Sequence, residues 1–243
     1  MALIAALLGA PAGTVRDILG GGSQTTEQPR ETTPAEDKAA DFVKAVVGYT
    51  EDGWTAIFAA QGKRYEAPQV NLFHGAVESA CGLNSAAVGP FYCPPDKQVY
   101  LDLSFFEELD RRFGAPGDFA QAYVVAHEIG HHVQNLLGVS NAVHRKRSQV
   151  SEVEGNRLSV MTELQADCYA GVWAHAARDS LEQGDVEEGL NAAAAVGDDR
   201  IQQMSGSAVA PEAFTHGSSA QRAQWFKKGM EAGTPDACDT FAR

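Results

Sequence analysis

Residues 118–137 read DFAQAYVVAHEIGHHVQNLL, and Gly138 follows. Around the three polar groups His127, Glu128 and His131 the residues are apolar or aromatic: Tyr123, Val124, Val125, Ala126, Ile129 and Val133. The pattern predicts a long apolar helix over 118–137, and Gly138 is a natural stop for it. On such a helix His127 and His131 are i and i+4, about 40° apart around the axis and about 6 Å apart along it. Two imidazoles so placed grip one ion. Glu128 stands beside that ion, poorly aimed to be a ligand but within reach of a water on it, the arrangement in which a carboxylate acts as general base. The competing reading is a pair of surface histidines on an ordinary helix. Against it, two histidines and a glutamate inside so apolar a stretch would carry a desolvation penalty of several kcal/mol without partners. A metal removes that penalty.

A catalytic zinc site takes three protein ligands and keeps a fourth position open. The arrangement HExxHxxGxxH, with a third histidine on the same segment, would need glycine at 134 and histidine at 137, where this chain has Gln134 and Leu137, so it is excluded. A second long helix is expected over 151–181, with Leu158, Met161, Leu164, Cys168 and Val172 on its buried side. It carries Glu163-Leu164-Gln165-Ala166-Asp167, where Glu163 and Asp167 are i and i+4 and face the same way. Packed antiparallel on the first helix, Glu163 supplies the third ligand. Asp167 accepts the free N–H of a ligand histidine and fixes its tautomer. A solvated carboxylate is the plain alternative for Glu163.

Working outward, residues 98–103, QVYLDL, alternate as a half-buried strand, with Val99, Leu101 and Leu103 pointing one way. Such a strand either packs in the core or offers a sheet edge to an extended peptide. Ser104 and Glu107 form a capping-box pattern opening a short helix to about 112. Residues 67–76 are an extended candidate. Residues 38–60 read as helix, with a second short helix from 54 to 60, and 141–150 show no clear period. Further helices are expected over 185–204 and 218–231. The whole is α+β, mostly helical with a small sheet.

The formal net charge is −13, from 32 acidic and 19 basic residues. That balance disfavours nucleic acid as a partner. Of the four cysteines, none lies in a CxxC pair, which argues against a cysteine-based zinc site. Four cysteines allow three connectivities. Cys81 and Cys93 flank a short segment that contains glycine and proline, which leaves Cys168 with Cys238; this pairing implies an oxidising compartment, and free thiols are the alternative. Residues 1–10, MALIAALLGA, are too short for the roughly 20 residues of a membrane span. They read as the stub of an export or anchor segment, or as a frayed end. Residues 20–37, GGGSQTTEQPRETTPAED, read as a linker, so 1–37 is expected to be a flexible N-terminal segment and 38–243 the folded domain.

HEIGHHVQNLLG at 127–138, ELQADCYAGVWA at 163–174 and PFYCPPDKQVYLDLSFFEEL at 90–109 together resemble the bacterial neutral zinc metallopeptidases, a gluzincin-type group. The likeness covers residues 38 to 241. It implies a zincin-like fold, one Zn2+ held by His127, His131 and Glu163, Glu128 as catalyst, and a peptide or protein substrate. It also implies a cell-envelope location with an N-terminal membrane anchor, of which this chain shows a short apolar stub. Related gluzincins carry a histidine, often followed by proline, with an arginine six residues later. His216 and Arg222 fit that spacing, with Gly217 in place of the proline. His216 is thereby a candidate donor to a developing oxyanion, and Arg222 a supporting residue or a structural ion pair. The other reading of His216 is a cap on the last helix.

His132, rotated about 100° from His131, is expected to pack or hydrogen-bond. His74, His144 and His175 have no evident partners in the sequence, and Met161 and Met204 are expected to fill core gaps. The rival functions are a binding or chaperone-like protein with a structural zinc, a zinc hydrolase of a non-peptide amide, and a metal-free structural protein.

Overall fold

The computed structural model describes residues 33–85 and 89–242. The expectations for residues 1–32 lie outside the described residues.

The first helix, α1 (Pro34–Ala60), is a single element where the sequence suggests two. Thr33 caps it reciprocally with Glu36: the Thr33 hydroxyl accepts the Glu36 amide and the Glu36 carboxylate accepts the Thr33 amide. With Pro34 at the first position, this starts the helix four residues before 38.

A three-stranded sheet follows, built from β1 (Gln69–Phe73), β4 (Phe91–Cys93) and β5 (Gln98–Asp102) in the order β1-β5-β4. β5 pairs parallel with β1 and antiparallel with β4. It is therefore the central strand, so its own backbone offers no edge to a peptide. Both faces of β5 are also buried, which corrects the half-buried expectation. The cause is the hairpin of β2 (Ala76–Ser79) and β3 (Gly82–Ser85), which the Cys81–Cys93 disulfide ties to β4. Under it a small second core gathers Phe73, Phe91, Cys93 and Tyr100. Helix α2 (Ser104–Arg111) starts without the expected capping box, because the Asp102 side chain accepts the Ser104 amide instead.

Helix α3 (Asp118–Leu136) is the axis of the main core. It starts after Gly117, at φ +117°, where a Cβ would strike the Glu188 carboxylate that accepts the Phe119 amide. It ends at Gly138, which is left-handed. Helix α4 (Val139–Arg147) was not expected; it buries none of its residues and so has no apolar stripe to read. Helix α5 (Glu152–Ala176) is capped by Ser151 and lies against α3.

The expected helix over 185–204 is two, α6 (Asp185–Ala195) and α7 (Asp198–Met204). They break at Gly197, where a Cβ would lie 2.3 Å from the Ser219 nitrogen. Met204 is 44% exposed at the end of α7 and fills no core gap, contrary to expectation. Helix α8 (Ser219–Ala232) returns to cross α5. At the crossing a Cβ on Gly171 would meet the Phe226 carbonyl, and one on Gly229 the Cys168 carbonyl, so both helices need glycine to come this close. The Cys168–Cys238 disulfide then fastens the chain's C-terminal turn to α5. The fold is α+β and mostly helical, as expected.

Candidate metal centre

α3 and α5 run antiparallel and approach most closely at Gly130, whose missing Cβ would sit 2.9 Å from the Ala166 carbonyl oxygen. This contact brings two turns of α3 opposite two turns of α5. His127 and His131 thereby meet Glu163: the His127 Nε2 lies 3.2 Å from one carboxylate oxygen and the His131 Nε2 3.5 Å from the other. Donor atoms of the three residues all lie within 4.8 Å of one another.

Each imidazole is oriented from behind. His127 Nδ1 donates to Asp167 at 2.8 Å. His131 Nδ1 donates to the Gln134 side-chain oxygen at 2.8 Å. With each Nδ1 turned to its acceptor, both Nε2 atoms face the Glu163 carboxylate.

Asp167 is fully buried and holds more than His127. Arg222, on α8, grips it through Nε and Nη2. The Tyr123 hydroxyl donates to it as well, and Arg222 also reaches the Val196 carbonyl. Burial pushes the Asp167 carboxyl up, but Arg222 and His127 outweigh it and hold the group at about 2. The same opposition acts on Glu163, which burial raises and the two histidines pull well below the usual carboxylate range. Burial would strip His127 of charge, yet Asp167 and Glu163 lift it to about 9. Glu128 differs: burial dominates and its carboxyl is pushed up. It makes no hydrogen bond with a described residue.

The donor set fits zinc. Two imidazole nitrogens and one carboxylate oxygen converge, as in catalytic zinc sites. Three carboxylates, of Glu128, Glu163 and Asp167, face the one guanidinium of Arg222. With both imidazoles neutral, as metal ligands are, two negative charges are left over for a divalent cation to offset.

His216 lies outside this cluster. Asp198, at the start of α7, holds it: one Asp198 oxygen accepts the amides of Thr215, His216 and Gly217, and the other lies 3.1 Å from His216 Nδ1. When charged, His216 lowers Glu163, so it acts on the site electrostatically. It does not cap α8; Ser218 does, in a capping box with Gln221. Gly217 has φ +95° and its amide is bonded to Asp198, so proline would fit neither its angle nor its hydrogen bond.

His132 packs as expected: it donates to the Glu66 carbonyl, accepts from Tyr92 and stacks edge-on with Tyr65. His74 and His175 do have partners, correcting the expectation. His74 lies 3.4 Å from Glu36, and His175 donates to the Met230 carbonyl across the α5–α8 crossing. His144 is exposed on α4. Sequence reasoning missed Tyr123, Gln134 and Asp198. Tyr123 is i−4 from His127 and Gln134 is i+3 from His131, a spacing that signals both. Asp198 gives no such signal, because the break before it is invisible in the pattern.

No helix among the described residues is long and apolar enough to cross a membrane. Both expected disulfides are formed, which indicates a compartment outside the cytoplasm. No solved structure matches the chain. It is 48% identical over 219 residues to a protein of Escherichia coli strain K12 called "Uncharacterized protein YpfJ", covering 89% of this chain and 76% of that one. It is 46% identical over 214 residues to "Uncharacterized protein Rv2575" of Mycobacterium tuberculosis strain H37Rv, covering 83% of this chain and 71% of the relative. Residues 1–241 match the model of the family described as "Putative neutral zinc metallopeptidase". With an HExxH helix and an ExxAD helix brought face to face, the chain belongs to that family.

Proposed function

We propose that this protein is a zinc-dependent peptidase that cleaves peptide or protein substrates outside the cytoplasm, in the cell envelope. The observation that carries the reading is the convergence of His127, His131 and Glu163, with Glu128 beside them and without a hydrogen bond to any described residue. His127, His131 and Glu163 would hold one zinc ion. When bound, zinc acts as a Lewis acid that makes water nucleophilic near neutral pH and polarises the scissile carbonyl.

Glu128 takes the proton from the attacking water and passes it to the leaving amine. Its raised affinity for a proton, caused by burial, suits both halves of that transfer. Asp167 and Gln134 keep the imidazole protons on Nδ1. His216, steadied by Asp198, donates to the oxyanion that develops on the substrate. Association with a membrane, through an N-terminal anchor of which residues 1–10 would be a stub, completes the proposal.

The test is metal content and hydrolysis of an unstructured protein substrate, for the intact chain and for Glu128→Gln. The expected result is one zinc per chain in both, with turnover in the variant lower by about 10²–10⁴-fold. Full turnover by Glu128→Gln would refute the assignment. Zinc without hydrolysis of any peptide would leave the site a structural one.

A further inference from the structure

Three hydrogen bonds in series connect His131 to the far end of the chain. His131 Nδ1 donates to the Gln134 oxygen at 2.8 Å. The Gln134 amide nitrogen donates to the Gln165 oxygen at 3.1 Å. The Gln165 nitrogen donates to the Cys238 carbonyl at 2.9 Å. Gln134, Gln165 and Cys238 are all buried.

The direction of this relay is forced by its last member. A backbone carbonyl only accepts, so Gln165 must turn its NH2 group to Cys238 and its oxygen to Gln134. Gln134 must then offer its NH2 group to Gln165 and its oxygen to His131. The second N–H of Gln134 is taken by the Thr162 carbonyl at 2.7 Å, which enforces the same orientation. An imidazole facing that oxygen keeps its proton on Nδ1 and its lone pair on Nε2.

The anchor is covalent. Cys238 is bonded to Cys168, the neighbour of Asp167, which orients the other histidine. Thr240 adds a clasp, its hydroxyl donating to the Met161 carbonyl at 2.6 Å. One disulfide thus ties together the supports of both imidazoles.

We propose that Gln134 and Gln165 are positioning residues for the metal ligand His131, and that the Cys168–Cys238 disulfide anchors their relay, so that breaking it weakens metal binding. The inference rests on the metal-site reading above and makes no use of hydrolysis. In an oxidising compartment the chain holds its metal firmly; in a reducing one it holds it loosely.

The experiment measures zinc affinity by competition with a chromophoric chelator, for the full chain, Gln134→Leu, Gln165→Leu and the double variant Cys168→Ala/Cys238→Ala. The thermal midpoint of each is recorded without metal, and the His131 tautomer is read from its ring 15N shifts. Gln134→Leu is expected to lose about 10- to 100-fold in affinity. Gln165→Leu and the cysteine variant lose less, in the same direction, with a larger share of the Nε2–H tautomer at His131. A purely structural role would lower the midpoint and leave affinity and tautomer alone. Gln165→Leu keeps every cysteine, so it decides the matter if the double variant does not fold. A wild type that binds no zinc overturns the metal-site reading and the relay with it. A wild type that binds zinc, with folded Gln134→Leu and Gln165→Leu binding equally tightly, overturns the relay alone.

Discussion

Arg222 clasps Asp167 with two parallel hydrogen bonds, Nε to one carboxylate oxygen and Nη2 to the other, each 2.9 Å long. Both side chains are out of water, and without Arg222 the partners left to Asp167 are the Tyr123 hydroxyl and His127. Replacing Arg222 by leucine takes the guanidinium from a buried carboxylate and is expected to cost about 3–5 kcal/mol of stability. Arg222→Lys keeps the charge but not the fork, and should fall between. Urea denaturation of the three proteins checks the order; equal midpoints would mean that the pair contributes nothing.

A second expectation concerns the crossing of α5 and α8. A methyl on Gly229 would land 1.9 Å from the Cys168 carbonyl oxygen, on backbone that has no rotamer to change. Gly229→Ala should therefore destabilise the protein by about 1–3 kcal/mol or more. Gly48, inside α1, has open space around it. Gly48→Ala should be stabilising, by up to about 1 kcal/mol. Calorimetry on the pair separates steric crowding from a general intolerance of alanine.

Acid should loosen the segment that carries His216. Burial pushes Asp198 up, but the hydrogen bonds from His216 and from the loop amides win and hold its carboxyl below the ordinary value of 3.8. A carboxylate with a depressed value stabilises the fold above its unfolded value and loses that contribution as pH falls through its folded one. The effect belongs below about pH 4. Asp198→Asn should lower stability at neutral pH and flatten the acid limb of the stability curve. A variant with the wild-type slope below pH 4 would show that Asp198 is not the group responsible.

Zinc should stabilise the fold by mass action. At a hundred times its dissociation constant, a ligand that binds only the folded state adds about 2.7 kcal/mol. Glu163→Gln removes a ligand charge, so the same zinc concentration should raise its melting temperature less. An equal rise in both proteins would place the ion elsewhere.

Much of this was legible because helices announce themselves by period. The 118–137 and 151–181 patterns located α3 and α5, and i,i+4 spacing placed His127, His131, Glu163 and Asp167 on facing sides. What stayed hidden had tertiary causes. Gly197 breaks α6 from α7 only because the start of α8 needs the space, which no local pattern records. β5 reads as half-exposed because its second cover, the β2–β3 hairpin, is itself short and mostly exposed. Gln134 looks like a neutral helix residue until α5 brings Thr162 and Gln165 against it. Arg222 lies 55 residues from Asp167, and only the Gly171–Gly229 crossing brings them together.

The order in which these parts are synthesised has its own consequence. A ribosome releases α3 and α5, with His127, His131 and Glu163, well before α8 and Cys238. Until those last residues arrive, Asp167 has no guanidinium and the histidine supports are open-ended. A nascent or prematurely terminated chain therefore carries both signature motifs before the supports of His127 and His131 are complete. Maturation of the centre waits for the final residues to dock and for an oxidant to seal them.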